Sequence, residues 1–276
     1  MWFLGAGASR AAGIKTANDM SWEFKRNLYC SEKKQALSVV SDLGDPVVRR
    51  KLQAHFDSSG GYPSEGSEDE YAAYFERTFP SPKDRRTYID GEIKLGKPSF
   101  GHFGLALLLH KGLCRAVWTT NFDRALEDAA VKVMGSTGAL VVADLAEPEK
   151  LRQAFSQQRW PIYGKLHGDF QSERLKNVAS ELREQDVGMR TCLIDACRGN
   201  GLAVVGYSGR DTSILEAFRS ALGNGGFPGG LFWFKRFQDA LYPPVKDLVK
   251  QARVNGIDAH IVEVETFDEL FGDLLR

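Results

Sequence analysis

Four short segments rich in glycine and small polar residues carry the side-chain types that bind phosphates or move protons. The first, Gly5-Ala6-Gly7-Ala8-Ser9, comes directly after the apolar run Trp2–Leu4 and is itself succeeded by Gly13-Ile14. Glycine lets the main chain approach an anion, and the N–H groups and dipole at the start of a helix favour negative charge. The spacing departs from the dinucleotide fingerprint. Arg10 stands where the third glycine belongs, and no acidic residue closes a strand about 20 residues on. The second segment, Thr119-Thr120-Asn121-Phe122-Asp123, comes after a run ending at Trp118. The third is Lys165-Leu166-His167-Gly168-Asp169, whose histidine is the residue type most often used as a general base. The fourth is Gly206-Tyr207-Ser208-Gly209-Arg210-Asp211. Taken singly, each has a plainer reading: a tight turn, a satisfied structural histidine, or helix caps from Asn121, Asp123, Ser208 or Asp211.

Each segment comes after a short apolar run, so the elements around them predict the scaffold. Candidate strands are Trp2–Leu4, Arg115–Trp118, Ala139–Val142, Pro161–Gly164, Leu202–Val205, Leu231–Phe234 and His260–Val264. Helical stretches alternate with them, such as Val245, Leu248, Val249 and Ala252, or Phe267, Leu270, Phe271 and Leu274. This alternation predicts an α/β fold: a Rossmann-like, mostly parallel sheet with helices on both faces. Polar side chains after such strands sit where open α/β sheets bind ligands. Between Tyr29 and Lys97 no strand-like run occurs, and a helical insertion or cap spanning 30–97 is expected within a single domain of 1–276. Tyr71, Tyr74 and Phe75 give that insertion an apolar face, either for its own core or for covering the cleft.

Composition narrows the function. Lys plus Arg is 36 and Asp plus Glu is 36, so the formal charge is zero, without the basic footprint of a duplex-DNA binder or a polybasic membrane protein. No apolar run approaches the roughly 20 residues a membrane span needs. Four scattered cysteines (Cys30, Cys114, Cys192, Cys197) make no disulfide framework, which points to a reducing, cytoplasmic setting.

In this order the four segments resemble the sirtuin family: Gly5–Ser9 with Gly13-Ile14, Thr119–Asp123, His167-Gly168 and Gly206–Ser208. The phrasing of Trp118–Asp123, Lys165–Asp169 and Gly206–Asp211 is similar to that of bacterial sirtuin-like effector domains of antiphage systems, such as the Thoeris type. Two departures separate the chain from deacylating sirtuins. The interval after His167-Gly168 holds only Cys192 and Cys197, not the four thiolates of a structural zinc ribbon. Ile14 is succeeded by Lys15-Thr16-Ala17-Asn18-Asp19 instead of the Pro-Asp-Phe-Arg run.

The resemblance implies NAD⁺ hydrolysis to ADP-ribose and nicotinamide, with NAD⁺ as substrate and no zinc, in antiviral defence by NAD⁺ depletion. It implies Asn121 and His167 as catalytic residues. Cofactor-binding falls to Gly5, Ala6, Gly7, Ser9, Gly13, Thr119, Asp123, Gly206 and Ser208, with Trp233–Lys235 near the adenine. Other readings keep the same site for protein deacylation or ADP-ribosyl transfer, or make it a non-catalytic NAD⁺/ADP-ribose sensor. An NADase needs restraint, so a regulatory partner, a fused sensor domain or a homo-oligomer is expected, and no nucleic acid or membrane partner. Whether the chain is complete or an excised domain stays open.

Overall fold

The computed structural model describes residues 1–67, 69–168, 181–237 and 239–276. Short apolar runs form the strands, and those at the centre of the sheet are buried on both faces, as expected where helices cover both sides of a parallel sheet. The chain begins with β1 (Trp2–Leu4) and a short helix, α1 (Ala6–Arg10). Then come α2 (Ala17–Lys33), α3 (Pro46–Ser59), α4 (Glu70–Thr78), α5 (Pro82–Lys94) and α6 (Phe100–His110). Strands and helices alternate from there: β2 (Ala116–Thr119), α7 (Ala125–Met134), β3 (Val141–Ala143), α8 (Pro148–Ser156), β4 (Ile162–Lys165) and α9 (Glu181–Arg198). The remainder is β5 (Leu202–Val205), α10 (Thr212–Gly223), β6 (Leu231–Arg236), α11 (Pro243–Val254), β7 (Ala259–Val264) and α12 (Phe267–Leu274).

The seven strands form one sheet of order β3-β4-β2-β1-β5-β6-β7. Every neighbouring pair is parallel, with Trp2, Phe3 and Leu4 opposite Val117, Trp118 and Thr119 on one side and Ala203, Val204 and Val205 on the other. The α/β, Rossmann-like expectation therefore holds. Alternation along each strand divides the core in two. Phe3, Trp118 and Ile162 face one cluster, with Leu151, Leu193, Phe218 and Leu248 from α8–α11. Leu4, Val117 and Tyr163 face the other, with Leu105, Leu126 and Phe271 from α6, α7 and α12. Gly164 lies opposite Trp118 in the β2–β4 register, and a Cβ there would stand 2.5 Å from the Trp118 ring. The large ring on one strand requires the missing side chain on the next.

The chain divides into two compact units, Met1–Ile14 with Ile93–Arg276, and Lys15–Glu92. The second is helical. A Thr16–Asp19 capping box opens α2, satisfying N–H groups that a helix start leaves unbonded. Phe24 is its aromatic centre, stacked on Phe75 at 5.0 Å, with Tyr88 at 5.3 Å and Tyr71 at 5.9 Å. Tyr71 and Phe75 thus pack this unit's own core, and Tyr74 is fully buried. Lys25 is buried between the rings of Trp22 and Tyr74, with its ammonium held by Gln53 (2.6 Å) and Glu70. Among the described residues no helix is long and apolar enough to cross a membrane.

Candidate functional site

Parallel strands place all their carboxyl ends on one edge of the sheet, and the four segments leave β1, β2, β4 and β5 at that edge. The connection from β1 leads to β2 on one side, while β5, β6 and β7 lie on the other. Such a reversal opens the crevice in which α/β sheets bind ligands.

The β1 and β5 turns pack main chain on main chain. Gly5 N–H donates to Val205 O (3.0 Å) and Gly7 N–H to Gly206 O (2.8 Å). A Cβ on Gly5 would lie 2.5 Å from Gly206 O, one on Gly7 2.8 Å from Gly206 Cα, and one on Gly206 2.3 Å from Ala8 N. Gly206 also has φ +66°. These glycines are required by close approach of two loops, a constraint that spacing along the chain does not reveal. Ala6 opens α1, and Gly13 takes φ +84° in the turn after it, with nothing near its absent side chain.

The β2 segment is tied into the β1 turn by side chains. Thr119, the last residue of β2, donates through Oγ1 to Leu4 O (3.0 Å) and accepts from Asn121 N–H (2.9 Å). Asn121 is buried and donates both amide protons inward, to Gly5 O (2.9 Å) and Ser9 Oγ (2.8 Å). Ser9 donates its own proton to Asp123 Oδ2 (2.6 Å), and Asp123 Oδ1 accepts from Ala125 N–H (2.9 Å) at the start of α7. Thus Asp123 holds the first N–H of α7 from one residue before its N-cap position, Arg124, and at the same time closes a chain of bonds from β1 to β2.

Lys165, the last residue of β4, underpins this chain of bonds, a role that its place in the sequence does not announce. It is fully buried, and its ammonium donates to Asp123 O (2.8 Å) and Phe122 O (3.3 Å) and pairs with Glu127 at 3.1 Å. A lysine ending a strand that is otherwise buried on both faces is the one signal that could have found it. His102 on α6 lies outside the four segments. It is buried beside Ser99 (Nδ1 to Oγ, 2.8 Å). Burial lowers its pKa, while the Asp123 and Asp268 carboxylates pull the other way.

His167 leaves β4 two residues past Lys165, half-buried, with Gly168 next to it at φ +93°. Its ring lies 6.3 Å from that of Phe122, and its Nε2 is 2.8 Å from Asp211 Oδ2. Asp211 is also the N-cap of α10, accepting from Ser213 N–H (2.9 Å). Ser208 is exposed on the same loop. Asp169 lies outside the described residues. Trp233 is core, 5.9 Å from Tyr207, and Lys235 pairs with Glu263 at 2.7 Å.

The structure therefore bonds Gly5, Gly7, Ser9, Thr119, Asn121, Asp123 and Gly206 into one network. His167 adjoins it through Phe122. Ala6 lies within the first turn, while Gly13 and Ser208 stand outside the network. Among the described residues, no group of three or more His, Cys, Asp or Glu is placed to hold a metal. Cys192 and Cys197 are buried on α9, and burial raises both thiol pKa values, opposing the thiolate that zinc binds.

No curated protein matches the chain. Over residues 115–259, however, more than half its length, it matches the family described as SIR2-like domain. That span carries the β2, β4 and β5 segments, which the fold delivers to one edge of a parallel sheet beside the β1 turn, and the chain belongs to the SIR2-like domain family.

Proposed function

We propose that this chain hydrolyses NAD⁺ to ADP-ribose and nicotinamide. SIR2-like domains are as a class NAD-dependent enzymes, so NAD⁺ use is the common ground, and hydrolysis is the finer reading. The observation that supports it is that Asn121 follows β2 and His167 follows β4 at the carboxyl edge, with the ring of Phe122, next to Asn121 in the chain, 6.3 Å from that of His167, while the sequence after His167-Gly168 holds only two cysteines. A structural zinc ribbon needs four ligands, and in deacylases that module accompanies the acyl-lysine groove.

The bond to be broken joins ribose to a cationic nicotinamide nitrogen, so the leaving group departs neutral and needs no acid. The protein has to fix the ribose, place a water and accept its proton. Asn121 gives both amide protons to Gly5 and Ser9, so its carbonyl oxygen, an acceptor, is the group for a ribose hydroxyl or the water. His167 serves as the base. Asp123 keeps a second lone pair on each oxygen for a carboxamide N–H. The turn of Gly5, Ala6, Gly7 and Ser9, with Gly13 behind it, faces the pyrophosphate. Thr119 holds Asn121 in place, and Gly206 and Ser208 attend the adenosine side. By resemblance to antiphage effector domains, the cellular consequence is NAD⁺ depletion under the control of a partner, a fused sensor or self-assembly.

The test is incubation of the purified chain with NAD⁺ alone. Release of free ADP-ribose and nicotinamide without an acceptor is expected, with His167→Ala reduced about 10²–10⁴-fold. Turnover only with an acylated or nucleophilic acceptor would make the chain a transferase or deacylase. Saturable binding without turnover would make it a sensor.

A further inference from the structure

We infer that Asp211 is the positioning residue of His167: its carboxylate fixes the imidazole with the proton on Nε2 and so makes Nδ1 the basic nitrogen. This deepens the hydrolase reading and rests on it for the identity of the base.

The two carboxylate oxygens of Asp211 divide their duties. Oδ1 faces the start of α10, accepting from Ser213 N–H (2.9 Å), Ser213 Oγ–H (2.7 Å) and Ile214 N–H (3.4 Å). Oδ2 faces His167 Nε2 at 2.8 Å. An ionised carboxylate only accepts, so the nitrogen facing it carries the proton. In a neutral imidazole the other nitrogen, Nδ1, is then the acceptor. When Nδ1 takes a proton from water, the resulting imidazolium stays paired with Asp211. The oxygen of that water bonds to the anomeric carbon, the electron pair of the C–N bond leaves with nicotinamide, and the proton passes from Nδ1 to solvent.

The fold holds this pair in place. β4 and β5 are separated in the sheet by β2 and β1. Three strand spacings of about 4.8 Å give roughly 14 Å between their axes. The contact thus spans the carboxyl ends of β2 and β1, the strands leading into Asn121 and Gly5. Asp211 is anchored by α10, whose Ile214, Leu215, Phe218 and Leu222 are buried. Behind it, Gly209 has φ +78°, and a Cβ there would lie 2.2 Å from Val245 Cγ2, which pins the loop.

Asp211→Asn separates the two duties of the residue. Asparagine caps helices as well as aspartate, so its single oxygen remains with Ser213 and its amide N–H₂ turns to His167. Facing a donor, Nε2 must become the acceptor and Nδ1 the protonated nitrogen, the tautomer that cannot act as base. Asp→Asn beside a catalytic histidine is known to act in this way, with losses in kcat of about 10⁴-fold.

Two readouts test the inference on the chain of 276 residues. The first is ¹⁵N NMR of histidine-labelled protein, with the His167 signals assigned by loss in His167→Gln. Nε2–H is expected in the wild type and Nδ1–H in Asp211→Asn. The second is steady-state NAD⁺ turnover, where Asp211→Asn should lose about 10²-fold or more in kcat with KM changed less than about threefold. An Nδ1–H tautomer in the wild type, or unimpaired kcat in folded Asp211→Asn, would overturn the inference. If the wild type does not hydrolyse NAD⁺, the hydrolase reading fails, while the tautomer measurement still decides whether Asp211 orients His167.

Discussion

Replacing Lys165 by methionine keeps the length of the side chain and removes its charge. The wild-type ammonium donates to Asp123 O, Phe122 O and Glu127 Oε1 from a fully buried position. After the change the two carbonyls lose this donor. Glu127 retains Arg124, at 3.1 Å and partly exposed. Removing one partner of a buried pair costs about 3–5 kcal/mol, and Arg124 places this site at the lower end, about 3 kcal/mol. For a unit the size of Met1–Ile14 with Ile93–Arg276, that lowers Tm by roughly 6–12 °C. Urea titration monitored by circular dichroism should show a lower midpoint at unchanged slope. Glu127→Gln should cost less, because the ammonium keeps both carbonyls. Those carbonyls adjoin Asn121 in the chain, so turnover of NAD⁺ at temperatures where Lys165→Met is folded should also fall, by about 10-fold or more. A Lys165→Met protein within about 0.5 kcal/mol of wild type would refute the claim that this ammonium holds the loop.

The same network and its surroundings set four more outcomes. Asn121→Asp should be less stable than Asn121→Ala, since it sets a carboxylate against Gly5 O and beside the Ser9–Asp123 pair, as thermal denaturation of both variants will show. Gly206→Ala should impair folding more than Gly13→Ala, because its Cβ meets Ala8 N at 2.3 Å whereas that of Gly13 meets nothing, and soluble yield and Tm measure the difference. His102 binds its proton more weakly when folded than its ordinary 6.5. Unfolding below about pH 6.5 therefore takes up a proton, and stability falls with falling pH until the depressed folded value is reached; His102→Gln should flatten that dependence in urea titrations at about pH 7.5 and 5.5. Finally, metal analysis of purified protein should find no stoichiometric zinc, and one tightly bound zinc per chain would overturn the separation from deacylating sirtuins.

The sheet was legible because its signals are local. Short apolar runs separated by helical periodicity announce parallel strands wherever they sit, and each of the seven runs became a strand with its ends unchanged or shifted by one or two residues. That Thr119, Asn121, His167 and Gly206 lie at one edge came from the same alternation, since parallel strands share a carboxyl side. The runs do not encode which loop touches which. Gly5 and Gly7 read as a phosphate cradle along the chain, yet a residue far downstream, Gly206, sets their need for glycine. Asp211 read equally as a cap, and only the crossing of two loops over β2 and β1 added His167 to its duties. Lys165 opens the third segment just past the run Pro161–Gly164; burial turned it into the support of the Asn121 loop. Periodicity and residue type determine secondary structure and its order through short-range sterics and solvent preference, so the sequence alone carries them. Hydrogen-bond partners and close approaches depend on sheet order and loop crossing, which bring distant residues together, and these only the tertiary structure decides.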